Sequence, residues 1–220
     1  MISLASLAMR EDPYRAGVAA PVMEPALYRE LADSYPLESK AGFETLGGGF
    51  GGKLSLSEKF NRGAYLKFIR SSRPWWEFYR YIKSQTFYEE TMAALGLDRS
   101  GMLSARFEFS SIEAQGGYIK PHTDIPSKIV TLVIPMVHPG LWMPEWGGGT
   151  DILRPLDPTT PLRDYQCDRS QFERVWTAEF LPNQAAVFVK SEQSWHSVGP
   201  LCGPSGVYRR SLTVNIERLA

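Results

Sequence analysis

Two of the chain's three histidines stand where they could do chemistry. The segment Gly117-Tyr-Ile-Lys-Pro-His122-Thr-Asp124 ends with an imidazole and a carboxylate two residues apart. Side chains at i and i+2 of an extended strand point to one face, so His122 and Asp124 converge on one point. His196 follows in Ser194-Trp-His196-Ser-Val, just after the apolar run Ala185-Ala-Val-Phe-Val. Two neutral imidazoles and one hard oxygen on one face of a metal leave up to three coordination positions open, an arrangement suited to Fe(II). A His-x-Asp alone proves little, since both residues also cap turns. His138, before Pro139-Gly140, reads as a loop residue.

A further element raises the signal. In Arg209-Arg-Ser-Leu-Thr-Val-Asn215, strand alternation puts Arg209, Ser211, Thr213 and Asn215 on one face and Arg210, Leu212 and Val214 on the other. The first face is polar enough to line a wet pocket, and a guanidinium there suits a carboxylate held by two parallel hydrogen bonds. Arg210 is the alternative register.

These residues need elements to hold them. Asp12 to Ala20 reads as a lead-in strand. Met23 to Tyr35 reads as a helix, with Leu27, Leu31 and Tyr35 at four-residue spacing and Pro36 stopping it. Pro74 to Leu95, rich in aromatics, reads as the main helical region, opened by its proline and closed by Gly96. From Leu103 the texture turns to short β-leaning runs: Arg106–Ser110, Ile129–Ile134, Thr150–Leu153, Ala185–Lys190 and Arg209–Ile216. Glycine and proline punctuate them, as in a sandwich or barrel. The expectation is one α+β domain over residues 1–220, with helical support and loops in 1–100 and a β core carrying the metal site in 101–220.

Composition excludes several classes. With 24 basic and 24 acidic side chains in 220 residues, the chain lacks the cationic surplus of a general nucleic-acid binder. Its 43 % hydrophobic and 22 % charged residues are those of a folded globular protein. Cys167 and Cys202 are the only cysteines, no secretory signal stands at the start, and no apolar run is long enough to span a membrane. A soluble cytoplasmic protein is expected.

Gly47 to Lys53 fits the first part of a phosphate-binding loop, but Leu54 stands where magnesium ligation needs Ser or Thr. It reads as a mobile loop, Gly47–Gly52 being a possible active-site lid. Lys59 to Lys83 is basic with interleaved aromatics; a helix with buried aromatics and solvated cations accounts for it, and an anion-binding face is the sharper alternative.

Taken together, His122-x-Asp124, His196 and Arg209 resemble the 2-oxoglutarate- and Fe(II)-dependent oxygenases, in particular the prolyl-hydroxylase-like branch. The resemblance is clearest over residues 103–216, with supporting texture in Trp146-Gly-Gly-Gly-Thr150 and Phe180 to Phe188. It implies a distorted double-stranded β-helix, or jelly roll, braced by N-terminal helices. It implies Fe(II) on His122, Asp124 and His196, and 2-oxoglutarate with its distal carboxylate on Arg209. Dioxygen is the other co-substrate, and hydroxylation of a C–H bond is coupled to release of succinate and CO2. Related halogenases lack the carboxylate, so Asp124 favours hydroxylation. Relatives often add a tyrosine on the strand after His-x-Asp; here that run supplies Thr131, so Thr131, Tyr118 and Ser211 are the candidates for a second co-substrate anchor. The nucleic-acid-repair signature R-x-N-x-T-x-R is not matched. A small-molecule or carrier-linked substrate is expected, with no nucleic acid and no membrane; oligomeric state is not legible. An Fe(II) dioxygenase independent of 2-oxoglutarate and a non-catalytic ligand-binding β-barrel are the other readings.

Overall fold

A computed structural model describes residues 1–98, 100–159 and 161–219. Strands β1 (Ala8–Arg10) and β2 (Ala16–Ala19) lead into helix α1 (Pro25–Asp33). Three short strands follow: β3 (Glu44–Thr45), β4 (Phe50–Gly51) and β5 (Lys53–Ser57). Helices α2 (Arg62–Ser71), α3 (Arg73–Ile82) and α4 (Gln85–Ala94) come next. The remainder is β: β6 (Leu103–Glu113), β7 (Tyr118–His122), β8 (Lys128–Pro135), β9 (Thr150–Pro155), β10 (Phe172–Ala178), β11 (Ala185–Val189), β12 (His196–Val198) and β13 (Tyr208–Arg218).

The strands form two antiparallel sheets. The larger runs β1-β2-β11-β8-β13-β6-β5-β3 and the smaller β10-β9-β12-β7-β4. Alternation along three central strands of the larger sheet explains how it serves two environments at once. Phe107 and Phe109 on β6, Leu132 and Ile134 on β8, and Leu212 and Val214 on β13 join the main apolar core with the helices. Their neighbours Glu108, Thr131, Ser211 and Asn215 line a cavity on the other face. One pleated sheet therefore has an oily face and a polar face, each set by a period of two.

Aromatic packing fixes the oily face. Trp75 of α3 meets Phe109 edge-to-face at 4.6 Å between ring centroids, and Phe107 meets Phe109 at 5.5 Å. The Trp75 indole N–H donates to Ser34 O at 2.9 Å, so its one polar atom is satisfied in the core. Truncating either phenylalanine to alanine would cost about 3–5 kcal/mol.

Several expectations need adjustment. The helical region starts at Arg62, earlier than expected, and is broken into three helices, Pro74 occupying the first turn of α3. Gly96, at φ +60°, closes α4 as a glycine can without strain. The stretch read as a loop at Gly47 to Lys53 carries β4, which pairs with β7, and the first residue of β5. Among the described residues no helix is long and apolar enough to cross a membrane.

Candidate active site

The cavity between the sheets holds about 300 Å3, and His122, Asp124, His196 and Arg209 all line it. One ligand atom from each of His122, Asp124 and His196 lies within 4.8 Å of the other two. β12 lays His196 directly opposite His122 of β7. Asp124 falls just beyond the end of β7, so the pair is not on one regular strand as its spacing suggests. Its carboxylate is instead drawn in by partners.

Each imidazole is fixed by the backbone two residues before it. His122 Nδ1 is 2.9 Å from Lys120 O, and His196 Nδ1 is 3.0 Å from Ser194 O. A carbonyl only accepts, so both Nδ1 atoms carry the proton and both Nε2 atoms keep a lone pair, which is how a metal-binding histidine is oriented. Burial, with His196 beside it, holds His122 well below the ordinary histidine pKa, and burial lowers His196 in the same way. Both rings are therefore neutral at neutral pH.

Asp124 is ionised. Burial pushes its carboxyl up, but Lys128 above all outweighs this and holds it well below the usual range. Lys128 Nζ is 2.5 Å from Oδ1, and the Thr131 hydroxyl donates to Oδ2 at 2.6 Å. The Asn215 amide lies 3.0 Å from the same hydroxyl. Thr131 has one proton and the carboxylate takes it, so an amide N–H is the complementary partner. Two neutral imidazoles and one anionic oxygen fit a divalent ion such as Fe(II).

Arg209 is the most unusual group in the cavity. It is 2 % exposed, yet among the described residues no carboxylate lies within ion-pair distance of it. Its Nε donates to Gly148 O at 2.6 Å, its Nη1 lies 3.4 Å from Ser211 Oγ, and its guanidinium carbon sits 4.4 Å over the Phe180 ring. Burial lowers its pKa to about 10, still protonated at neutral pH. A buried, unpaired cation is costly unless an anion completes it. Arg210, the other register, points away and holds Glu38 with two bonds of 2.8 Å.

One expected residue stands elsewhere. Tyr118 is outside the cavity: between the pairs His196–His122 and Val198–Ile119, β7 carries one residue more than β12. That bulge turns both Ile119 and His122 inward and leaves Tyr118 over Gly51. Thr131 lines the cavity and gives its proton to Asp124. Ser211 does lie beside Arg209. His138 is remote, 3.0 Å from Asp33.

Other residues in the cavity were not named as site residues from the sequence. Tyr165 stacks on His122, Phe50 packs against Tyr165 at 4.6 Å, and a Lys53–Glu108 ion pair stands at 2.7 Å on the wall. Phe50 and Lys53 lie in the Gly47–Lys53 stretch, whereas Tyr165 and Glu108 belong to no spacing motif and only the fold brings them in.

No family model and no curated protein matches this sequence. Solved structures do. A prolyl-4-hydroxylase from Pseudomonas putida superimposes with a TM-score of 0.63 at 15 % identity, covering 99 % of this chain and 96 % of that one. The chain has the oxygenase double-stranded β-helix fold. A second match is the prolyl hydroxylase from Trichoplax adhaerens in complex with a hypoxia inducible factor peptide fragment, at TM-score 0.57 and 12 % identity, covering 91 % and 82 %. A third is SnoN, the non-heme alpha ketoglutarate dependent epimerase of nogalamycin biosynthesis, at TM-score 0.59 and 15 % identity, covering 92 % and 76 %. The jelly-roll core braced by helices expected from the sequence is thus the fold observed.

Proposed function

We propose that this protein is an Fe(II)- and 2-oxoglutarate-dependent dioxygenase that hydroxylates a C–H bond of a small molecule or biosynthetic intermediate. The observation that carries this reading is the buried, unpaired Arg209 in the same cavity as His122, Asp124 and His196. A metal-binding triad alone fits many functions; a triad with a waiting guanidinium fits a chelating dicarboxylate.

The residues divide the work. His122 and His196 would offer Nε2 to the metal, and Asp124 one oxygen, with Lys128 and Thr131 keeping that carboxylate ionised and oriented. Arg209 would clamp the far carboxylate of 2-oxoglutarate, beside Ser211 and over Phe180. Phe50, Tyr165 and Phe188 shield the imidazoles from water. Iron loaded there, with 2-oxoglutarate and dioxygen, supplies C–H oxidation coupled to formation of succinate and CO2. A cytoplasmic setting is part of the proposal, both cysteines being free.

The likeness to SnoN supports one second reading, in which the same machinery ends in epimerisation. Product analysis separates the two, since only hydroxylation adds an oxygen atom. The first test is anaerobic titration of metal-free protein with Fe(II) and then 2-oxoglutarate, followed by visible absorption. A weak charge-transfer band, lost in His122→Ala and requiring more 2-oxoglutarate in Arg209→Ala, is the expected result. Tight iron binding without a band would overturn the 2-oxoglutarate assignment and leave an Fe(II) dioxygenase of another kind. A band without turnover of any substrate would favour a ligand-binding module.

A further inference from the structure

Glu108 is a buried carboxylate in this cavity that neither metal nor 2-oxoglutarate binding uses. It is 6 % exposed, on the polar face of β6, opposite Thr213 of β13. Burial pushes its carboxyl up, but Lys53, then Lys128 and Arg106, outweigh this and hold it below its ordinary value. Lys53 Nζ is 2.7 Å from Oε1, while among the described residues no donor is bonded to the other oxygen, Oε2. A carboxylate oxygen without a donor calls for one, and the cavity that Glu108 lines is where one can arrive at Oε2.

The opposite demand lies beside it. Lys53 and Lys128 each contact one carboxylate oxygen, and an ammonium has three donors. Both therefore keep N–H bonds to give. Lys59 adds an exposed ammonium to the cavity lining with no ion-pair partner among the described residues. An ion pair retained in a cavity wall adds little stability over an apolar pair of the same size. It does present an acceptor and donors side by side, the complement of a group carrying both charges. Lys128 contacts Asp124 and lines the same cavity as Glu108, so this wall adjoins the metal triad.

We propose that the substrate is a small zwitterion, a free amino acid, its ammonium accepted by Glu108 and its carboxylate held by Lys53 and Lys128. This rests on the oxygenase reading and narrows it to one substrate class.

The test separates the two. With Fe(II) and 2-oxoglutarate bound anaerobically, the twenty common L-amino acids are added singly, each free, N-acetylated, and as the methyl ester. The expected result is that at least one free amino acid perturbs the charge-transfer band and, in air, drives succinate release. Its N-acetyl and ester forms, lacking one charge, should bind roughly 10- to 100-fold more weakly. Glu108→Gln should weaken the free amino acid by a similar factor while the Fe(II)–2-oxoglutarate band still forms. Absence of any band refutes the 2-oxoglutarate reading itself. A band that no free amino acid perturbs, or one perturbed equally by free and capped forms, refutes the zwitterion. The capped ligands decide the matter even where Glu108→Gln fails to fold.

Discussion

Tyr165 lies nearly flat on His122, with ring centroids 4.3 Å apart and planes inclined by 21°. Its backbone N–H donates to Pro121 O at 3.0 Å, and the neighbouring Asp164 accepts from the Thr123 N–H at 2.7 Å. The segment is thus pinned to both residues flanking His122, and the tyrosine takes φ +61° to deliver its ring there. Left-handed backbone at a non-glycine costs about 1–2 kcal/mol. Tyr165→Ala should therefore leave folding intact and loosen the imidazole. Fe(II) affinity should fall by roughly 2- to 10-fold, the worth of one aromatic pair. Anaerobic titration measures it; unchanged affinity would make the stack mere packing.

Gly49 bears on the same ring. A methyl there would stand 2.4 Å from Tyr165 Cβ and 2.7 Å from Cδ1, closer than atoms tolerate. Gly49→Ala should push Tyr165 off His122 and weaken Fe(II) binding about as much as Tyr165→Ala. In a Tyr165→Gly background the clashing atoms are gone, so adding Gly49→Ala should change little more. Comparing Fe(II) dissociation constants around this double-mutant cycle is the check; additive losses would show that Gly49 acts elsewhere.

These contacts mark the limit of what the sequence tells. The strand β13 was legible because alternation separates Arg209, Ser211, Thr213 and Asn215 from Leu212 and Val214, and the structure puts the first set in the cavity. The same rule chose Arg209 over Arg210. Gly47 to Lys53 misled for a physical reason: Gly49 and Gly51 lie beneath the rings of Tyr165 and Tyr118, where a Cβ would fall 2.4 Å from ring or Cβ atoms. Close approach of aromatic rings, not phosphate binding, explains those two glycines. Tyr165 and the pairing of Lys53 with Glu108 were illegible because no periodicity links residues that meet only through a jelly-roll crossing.

The buried histidines make ligand-free stability depend on pH. Burial lowers the folded pKa of both His122 and His196 below the ordinary value near 6.5. Below that value the unfolded chain takes up protons that the folded chain refuses, so stability is full above about 6.5 and falls as pH drops toward the folded values. The slope approaches about 1.4 kcal/mol per pH unit for each histidine. Asp124, held low, enters only at far more acidic pH. Urea midpoints in chelator between pH 8 and 5.5 should show the loss, and the double variant His122→Asn, His196→Asn should flatten it. An equally steep profile in that variant would place the effect elsewhere.

Arg209 and Arg210 are adjacent in sequence and opposite in consequence. Arg209 is buried with no acid paired to it among the described residues, and its lowered pKa of about 10 means that the folded state disfavours the cation. Against an ordinary arginine near 12.5 that corresponds to on the order of 3 kcal/mol of destabilisation at neutral pH, recovered only as pH rises past the folded value. Arg209→Met removes the cation but strands Gly148 O, which loses a 2.6 Å hydrogen bond at about 1–3 kcal/mol. The ligand-free variant should thus match or exceed the parent in thermal stability while losing the stabilisation that 2-oxoglutarate gives the parent. Arg210→Met does the reverse. It breaks the two-bond clamp on Glu38, which also accepts from Ser111 Oγ at 2.8 Å, and should cost about 1–3 kcal/mol. Its response to 2-oxoglutarate should stay intact. Thermal melts of both variants with Mn(II) present, with and without 2-oxoglutarate, read all four quantities. A lost response in Arg210→Met, or a retained one in Arg209→Met, would reverse the assignment of the co-substrate clamp.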